Sequence, residues 1–342
     1  MNKTVVITGG GTGGHLKVAD AFIEEFHKRK IDVIFIGSSN GQDKFWFEND
    51  KRLKKAIFLD TRGVVNKSSI GKIASLLNIF SKTLQCLKLF SEYNVKTVIS
   101  VGGFSAAAAT FASILKLKCK LYIHEQNSKM GKLNEITSKF ATEVFSSFDE
   151  NSLVKDYPVA KEFFDTARVR DKIKTIAFFG GSQGAICIND FALKVAPKLD
   201  EIGIKIIHQT GKNDFERVKN EYEKLNISAD VFDFSKDIPS KMSSADFAVS
   251  RAGASTLWEL CANSLPTFFI PYKYAAGDHQ YYNAKALADK GMCFLRREEE
   301  LNEEEFYKII KSDIHKISIE LISSISPNAI SLITNIILEN DK

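Results

Sequence analysis

Six turns in this sequence gather glycine, hydroxyl, amide and imidazole groups directly after short apolar runs. The first, Gly9–His15, reads Gly-Gly-Gly-Thr-Gly-Gly-His. A glycine loop between strand and helix turns backbone N–H groups, backed by the positive helix end, toward an anion or a hydroxyl-rich ligand. Thr12, Gly13 and Gly14 close the loop, and His15 falls in the first helical turn, where the helix dipole favours the neutral imidazole that a general base needs. The loop formally fits G-x-G-x-x-G, but the dinucleotide fingerprint also needs a carboxylate at the end of the second strand. That strand ends Phe35-Ile36-Gly37-Ser38-Ser39-Asn40, without one. No Lys-Ser/Thr follows Gly14, so a Walker loop is excluded and a nicotinamide oxidoreductase is the least favoured reading.

Val101-Gly102-Gly103-Phe104-Ser105-Ala106-Ala107 repeats the strand-to-glycine turn, and His124-Glu125-Gln126-Asn127 forms a polar cluster after another strand. Carboxyl ends of parallel strands line the ligand crevice, and four consecutive hydrogen-bonding side chains there exceed ordinary loop polarity. Later come Phe178-Phe179-Gly180-Gly181-Ser182-Gln183-Gly184, then Ser250-Arg251-Ala252-Gly253-Ala254-Ser255-Thr256 followed by Glu259. Asp278-His279-Gln280, with Asn283, makes the last polar turn before a helix. There is no D-x-D metal motif and no H-E-x-x-H, so metal-dependent transfer is disfavoured and no metal site or cofactor is expected.

Parallel strands are expected to position these turns. Lys3–Thr8, Asp32–Ile36, Thr97–Val101, Lys120–Ile123 and Thr142–Phe145 are short apolar runs alternating with helical stretches. The rhythm restarts at Lys174–Phe179 and continues through Lys205–His208, Asp230–Phe232, Asp246–Val249 and Thr267–Ile270. This predicts an α/β protein of two Rossmann-like halves, each with a parallel sheet and each opening on its own glycine loop. The polar stretch 148–172, with Tyr157-Pro158, reads as the linker, and the boundary is set at residues 1–160 and 161–342. The amphipathic piece 328–340 is expected to pack as a closing helix, back toward the N-terminal domain.

Composition agrees with a folded enzyme of two domains. The chain has 342 residues, 44% apolar and 26% charged, above the usual ceiling for one hydrophobic core. Five widely spaced cysteines include no C-x-x-C pair, so reduced thiols are expected rather than zinc or disulfides. The N-terminus turns glycine-rich too soon for a signal peptide, and no apolar run is long enough to span a membrane. Residues 1–150 carry a net charge of +8 and the remainder −3, so the N-terminal half is the one suited to an anionic partner.

The six motifs, in this order, resemble the MurG family of bacterial peptidoglycan glycosyltransferases: GGGTGGH, GGFSAAAA, HEQN, GGSQG, SRAGASTLWEL and DHQ-x-x-N. The resemblance covers nearly the whole chain. It implies the GT-B fold, two Rossmann-like domains facing across a cleft. It also implies metal-independent, inverting transfer of N-acetylglucosamine from UDP-GlcNAc to the C4 hydroxyl of MurNAc in undecaprenyl-pyrophosphoryl-MurNAc-pentapeptide, which converts lipid I to lipid II. Thr12, Gly13 and Gly14 would then approach the donor sugar and diphosphate, Asn127 the GlcNAc and Ser182 the diphosphate. Ala254, Ser255, Thr256, Leu257, Trp258 and Glu259 would hold the nucleotide, with the hydroxyls on phosphate and Glu259 on the ribose. Gln280 would bond the sugar, backbone near Ser235 and Ile238 would read the uracil, and His15 would act at the acceptor hydroxyl. The implied setting is the cytoplasmic face of the bacterial cell membrane, with an anionic surface and cell-wall synthesis proteins as partners and no nucleic acid. Rival readings are a GT-B transferase with another lipid acceptor, a UDP-GlcNAc epimerase and a non-catalytic nucleotide-sugar sensor.

Three places depart from the family. Leu16-Lys17-Val18-Ala19 replaces an aromatic-Pro-Gly element after the loop histidine, and Phe104 stands where Tyr is frequent. At the linker, Asp156-Tyr157-Pro158-Val159-Ala160 lacks the family's arginine, for which Lys161 is the candidate substitute, a point charge without the bidentate fork.

Residues 44–96 contain 11 Lys and Arg against 4 Asp and Glu. Within them Ile70, Ile73, Leu76, Leu77, Phe80, Leu84 and Leu87 follow helical spacing, with Lys72, Lys82 and Lys88 off the stripe. Such a stripe is the ordinary signature of a core-facing helix. With a lipid-linked acceptor, the competing expectation is docking on an anionic leaflet.

Overall fold

Short β-branched runs followed by helices can bury both faces only in parallel sheets, and every strand pair in the computed structural model is parallel. The structure describes residues 4–61, 63, 69–181 and 183–340, with backbone alone at 69 and 70. Two units divide the chain: Met1–Pro158 with Asn328–Lys342, and Val159–Pro327.

The first unit runs β1 (Thr4–Thr8), α1 (Gly13–Lys28), β2 (Asp32–Ser38), α2 (Asp43–Phe47), β3 (Lys55–Leu59), α3 (Ser69–Glu92), β4 (Thr97–Ser100), α4 (Ala107–Leu115), β5 (Lys120–Glu125), α5 (Lys132–Thr137) and β6 (Glu143–Ser146). Its sheet order is β3-β2-β1-β4-β5-β6, so the order reverses between β1 and β4. Ligands of open α/β sheets bind outside the carboxyl ends of the strands at such a reversal. Here that point is occupied by the loops Gly9–Thr12 and Val101–Gly103. Helix α1 exists because Leu16, Val18, Ala19, Phe22, Ile23 and Phe26 recur at helical spacing, and all six are buried. Each such side chain contributes about 1.5–3 kcal/mol on burial, so this face holds the loop's helical end firmly.

The second unit runs α6 (Lys161–Asp165), β7 (Thr175–Phe179), α7 (Ile186–Glu201), β8 (Lys205–Gln209), α8 (Phe215–Lys224), β9 (Ala229–Phe232), α9 (Ile238–Ser244), β10 (Phe247–Ser250), α10 (Ala254–Ala262), β11 (Thr267–Phe269), α11 (His279–Ala288), β12 (Phe294–Leu295), α12 (Glu303–Ile309) and α13 (His315–Ser323). Its sheet order is β12-β11-β10-β7-β8-β9, reversing between β7 and β10. The turns GGSQG and SRAGAS follow those two strands. Phe178, Phe191, Phe268 and Phe306 form the centre of its core.

The chain closes with α14 (Ala329–Asn340), which belongs to the first unit. Ile333 and Ile337 are buried, and Arg29, at the end of α1, donates to Asn335 Oδ1 at 2.6 Å and to Ser331 Oγ at 3.0 Å.

The stretch 148–172, where the two units meet in sequence, is tied down on both sides of the boundary. Tyr157 is buried and donates to Gln126 Oε1 at 3.3 Å. The buried Arg170 donates to the carbonyls of Ala245 and Met242 at 3.1 Å each and to Asn263 Oδ1 at 2.7 Å. One expectation needs correction: the stripe on α3 is not core-facing. Ser75, Ile79, Thr83, Cys86 and Phe90 face the core, while Ile73, Leu76, Leu77 (65% exposed), Phe80 (60%) and Leu84 point to solvent. Only Leu87 turns partly inward, and the side chain of Ile70 lies outside the described residues. This inward face packs on the alanine-rich α4, with Cys86 and Phe90 sharing a core with Ala108, Ala109 and Ala112.

Candidate functional site

In the first unit two glycine turns interlock. Gly10 N–H donates to Gly102 O at 3.1 Å. Gly103 has φ +81°, and a side-chain carbon there would stand 2.2 Å from Gly10 O, so only glycine fits. Helix α1 starts one residue after Thr12, and Thr12 Oγ1 lies 2.9 Å from His15 Nδ1. The imidazole lies against Gly102, where an added carbon would stand 3.4 Å from Nε2. His15 is half-buried, so its ring is reachable from outside while held on one edge.

The loop also has a floor that sequence reading missed. Asp43, the first residue of α2, is fully buried; its Oδ1 accepts the Gly11 N–H at 2.5 Å and its Oδ2 the Ser38 N–H at 2.8 Å. A carboxylate therefore does follow β2, but its oxygens serve backbone amides and it is closed to a ribose. Gly11 N–H is directed at this carboxylate and not at an incoming anion.

The cluster His124–Asn127 straddles the end of β5 and is mostly internal. His124, Glu125 and Gln126 are all buried. His124 packs edge-on against Phe22 and Tyr157, and burial, reinforced by the nearby His15, pushes its pKa down to about 3. Glu125 accepts from Asn127 N at 2.9 Å, Gly131 N at 3.0 Å and Asn134 Nδ2 at 2.8 Å, and so shapes the turn that follows. Gln126 donates to Val101 O at 3.1 Å. Asn127 is the one residue of the four that is half-buried. The run straddles a strand end whose side chains still alternate into the layers above and below the sheet.

The second unit repeats the interlock. Gly211 has φ +77°, and a side-chain carbon there would meet Gly184 N at 2.2 Å. Behind it, buried Asn189 donates to Thr210 O at 3.1 Å and to Asp214 Oδ2 at 2.7 Å. Its Oδ1 therefore takes the Nε2–H of His208, 3.0 Å away, whose Nδ1 faces the Tyr222 hydroxyl at 3.0 Å. Burial pushes the His208 pKa down to about 3, so it is a neutral brace.

The comparisons with known proteins agree with this plan. Residues 5–146 match the glycosyltransferase family 28 N-terminal domain and residues 175–323 its C-terminal domain. A Campylobacter jejuni UDP-N-acetylglucosamine--N-acetylmuramyl-(pentapeptide) pyrophosphoryl-undecaprenol N-acetylglucosamine transferase is 53% identical over 93% of this chain and 92% of its own. The enzyme of the same name from Wolinella succinogenes is 47% identical over 98% and 99%. The crystal structure of Acinetobacter baumannii MurG superposes with a TM-score of 0.83 at 25% identity, covering 98% of this chain and 99% of that one. The chain belongs to the MurG family of glycosyltransferases. A more distant Staphylococcus aureus MnaA–UDP structure, with a TM-score of 0.63 at 12% identity, shares the fold.

The remaining positions that the MurG resemblance singles out fall as follows. Ser182 lies outside the described residues. Helix α10 begins at Ala254 just after β10, with Ser255 and Glu259 buried and Thr256 half-buried at its start. Leu257 and Trp258 are buried in the same helix, 0% and 6% exposed. Arg251 braces this turn, donating to Ile270 O and Pro271 O at 3.0 Å each and pairing with Glu298 at 2.7 Å. Buried Asn283 donates to Ala252 O at 3.2 Å. Gln280 Oε1 accepts from Tyr272 N at 3.0 Å, which leaves its NH₂ to donate outward. Ser235 and Ile238 flank Asp237, which caps α9 through Ser240 N at 3.2 Å. Lys161 is exposed and ion-paired with Asp165 on its own helix, so it does not reproduce a fixed arginine fork.

Proposed function

We propose that this protein transfers N-acetylglucosamine from UDP-GlcNAc to the C4 hydroxyl of MurNAc in undecaprenyl-pyrophosphoryl-MurNAc-pentapeptide, making lipid II from lipid I with inversion and without a bound metal. The observation that carries the reading is His15, held by Thr12 at the strand-order reversal of a chain 53% identical to a transferase of that name. In this reading the first unit receives the acceptor and the second holds the donor nucleotide.

The acceptor C4 oxygen attacks the anomeric carbon from the face opposite the diphosphate. Its proton passes to His15 Nε2 as the bond from the anomeric carbon to the β-phosphate oxygen breaks. UDP departs with the bonding pair. Its charge meets the N-terminus of α10 and the hydroxyls of Thr256, Ser255 and Ser182. Glu259 takes the ribose hydroxyls, Asn127 and the Gln280 NH₂ the sugar, and backbone near Ser235 and Ile238 the uracil. Backbone at Thr12, Gly13 and Gly14 approaches the sugar and diphosphate.

The exposed stripe on α3 supports docking at the anionic cytoplasmic leaflet, where a lipid-linked acceptor resides. Among the described residues no helix is long and apolar enough to cross a membrane. Incubation of the purified protein with UDP-GlcNAc and a soluble lipid I analogue tests the reading. Formation of the disaccharide product with release of UDP is expected; hydrolysis or epimerisation of UDP-GlcNAc without transfer would overturn it.

A further inference from the structure

Asp43 has a placement that the reaction as described does not use. It opens a helix of only five residues, its carboxylate is sealed from solvent, and among the described residues it has no cationic partner. Both oxygens are instead given to backbone: Oδ1 to Gly11 N–H and Oδ2 to Ser38 N–H. Burying a charge without a counter-ion is unfavourable, and it is compensated here only by those two charge-assisted hydrogen bonds. The space is made by missing side chains. A carbon added at Gly10 would stand 2.7 Å from all three carboxyl atoms, and one at Gly37 would stand 2.8 Å from Oδ2.

The two amides belong to different strand ends, one just beyond β1 and one at the last residue of β2. The carboxylate therefore fixes the glycine loop against the neighbouring strand. Gly11 immediately precedes Thr12, whose carbonyl accepts Leu16 N–H at 3.2 Å and whose hydroxyl holds His15 Nδ1 at 2.9 Å. A path of one peptide link and two hydrogen bonds runs from Asp43 to the imidazole.

We infer that Asp43 is a positioning residue for His15: its carboxylate, bridging Gly11 and Ser38, sets the glycine loop so that Thr12 and the imidazole meet the acceptor hydroxyl in reacting geometry. This rests on the proposed role of His15. It also gives the Gly11 amide a different task from cradling phosphate, because that amide is turned to the Asp43 carboxylate.

The test compares full-length wild type, Asp43→Asn and Asp43→Glu in two measurements. The first is hydrogen exchange at the Gly11 amide. That amide is expected to be protected in the wild type and to exchange at least about tenfold faster in Asp43→Asn, where one of the two acceptors becomes an NH₂ group. The second is steady-state transfer with the lipid I analogue. In Asp43→Asn kcat is expected to fall about 10–100-fold, the scale of a misplaced catalytic group, while KM for UDP-GlcNAc stays within about twofold. Asp43→Glu keeps the charge and both acceptors, so its kcat should lie between the other two.

An unprotected Gly11 amide in the wild type overturns the inference even if neither variant folds. So does a folded Asp43→Asn protein with kcat within twofold of wild type, or one whose loss appears in KM for the donor alone. Absence of transfer by the wild type would remove the proposed activity, while the exchange comparison would still decide whether the carboxylate sets the loop.

Discussion

Thr12 Oγ1 lies 2.9 Å from His15 Nδ1, and this contact decides which imidazole nitrogen can take a proton. If Nδ1 carries the hydrogen and donates to the hydroxyl, Nε2 keeps its lone pair and is the basic atom. If the hydroxyl donates to Nδ1, Nε2 is protonated and cannot act as a base. The hydroxyl thus serves the proposed mechanism as an acceptor. Thr12→Val keeps the shape and removes it. Transfer is expected to drop about tenfold, the equivalent of one net hydrogen bond, with Thr12→Ser restoring most of it. Parallel kcat measurements on the two variants check this.

His15→Ala removes the base itself. A loss in kcat of roughly 10²–10⁴ is expected, the range for general base catalysis, while UDP-GlcNAc binding by calorimetry stays near wild type. Near-normal turnover would take His15 out of the base role.

The two buried histidines make stability depend on pH. His124 in the first unit and His208 in the second both have pKa values pushed down by burial to about 3, against an ordinary value of about 6.5. The unfolded chain binds their protons first as the pH falls. Their contribution is therefore intact above about pH 6.5 and lost progressively from there down toward about pH 3, at up to ~1.4 kcal/mol per pH unit for each histidine. Each unit should lose ~2 kcal/mol between pH 7.5 and pH 5, seen as a fall in urea midpoint. An unchanged midpoint would show that these imidazoles are not held neutral.

Exposed Leu77 and Phe80 on α3 are expected to carry membrane contact. Leu77→Ser with Phe80→Ser should cut sedimentation with anionic vesicles by about tenfold or more, through the loss of buried apolar area. Tm should change little, since neither side chain packs in the core. Equal weak binding of the wild type to anionic and neutral vesicles would remove the electrostatic part of this docking.

Local composition was enough to reveal the two-unit α/β plan. Runs such as Thr4–Thr8 and Thr175–Phe179 are too short and too β-branched for anything but buried parallel strands, and the glycine turns that follow can only sit at strand ends. The two strands missed, β3 and β12, are edge strands: Lys55-Ala56-Ile57-Phe58-Leu59 opens on an exposed lysine, and Phe294–Leu295 is only two residues long. The other two edge strands, β6 and β9, were legible; β3 and β12 were not because one opens exposed and the other is too short to show a period.

His15 and Thr12 were legible because chemistry and spacing coincide within one helical turn. The roles of Asp43 and Asn189 were not, because each acts on backbone brought to it by the fold: Asp43 on Gly11, 32 positions away, and Asn189 on Thr210, 21 away. The α3 stripe shows the same limit from the other side. Helical spacing indicates that Leu76, Leu77, Phe80 and Leu84 share a face, but only the packing of α4 against the opposite side, with Cys86 and Phe90 in their common core, decided that this face is the outer one. Periodicity along a chain states which residues lie together; which side is buried is a property of the neighbour that arrives from elsewhere in the fold.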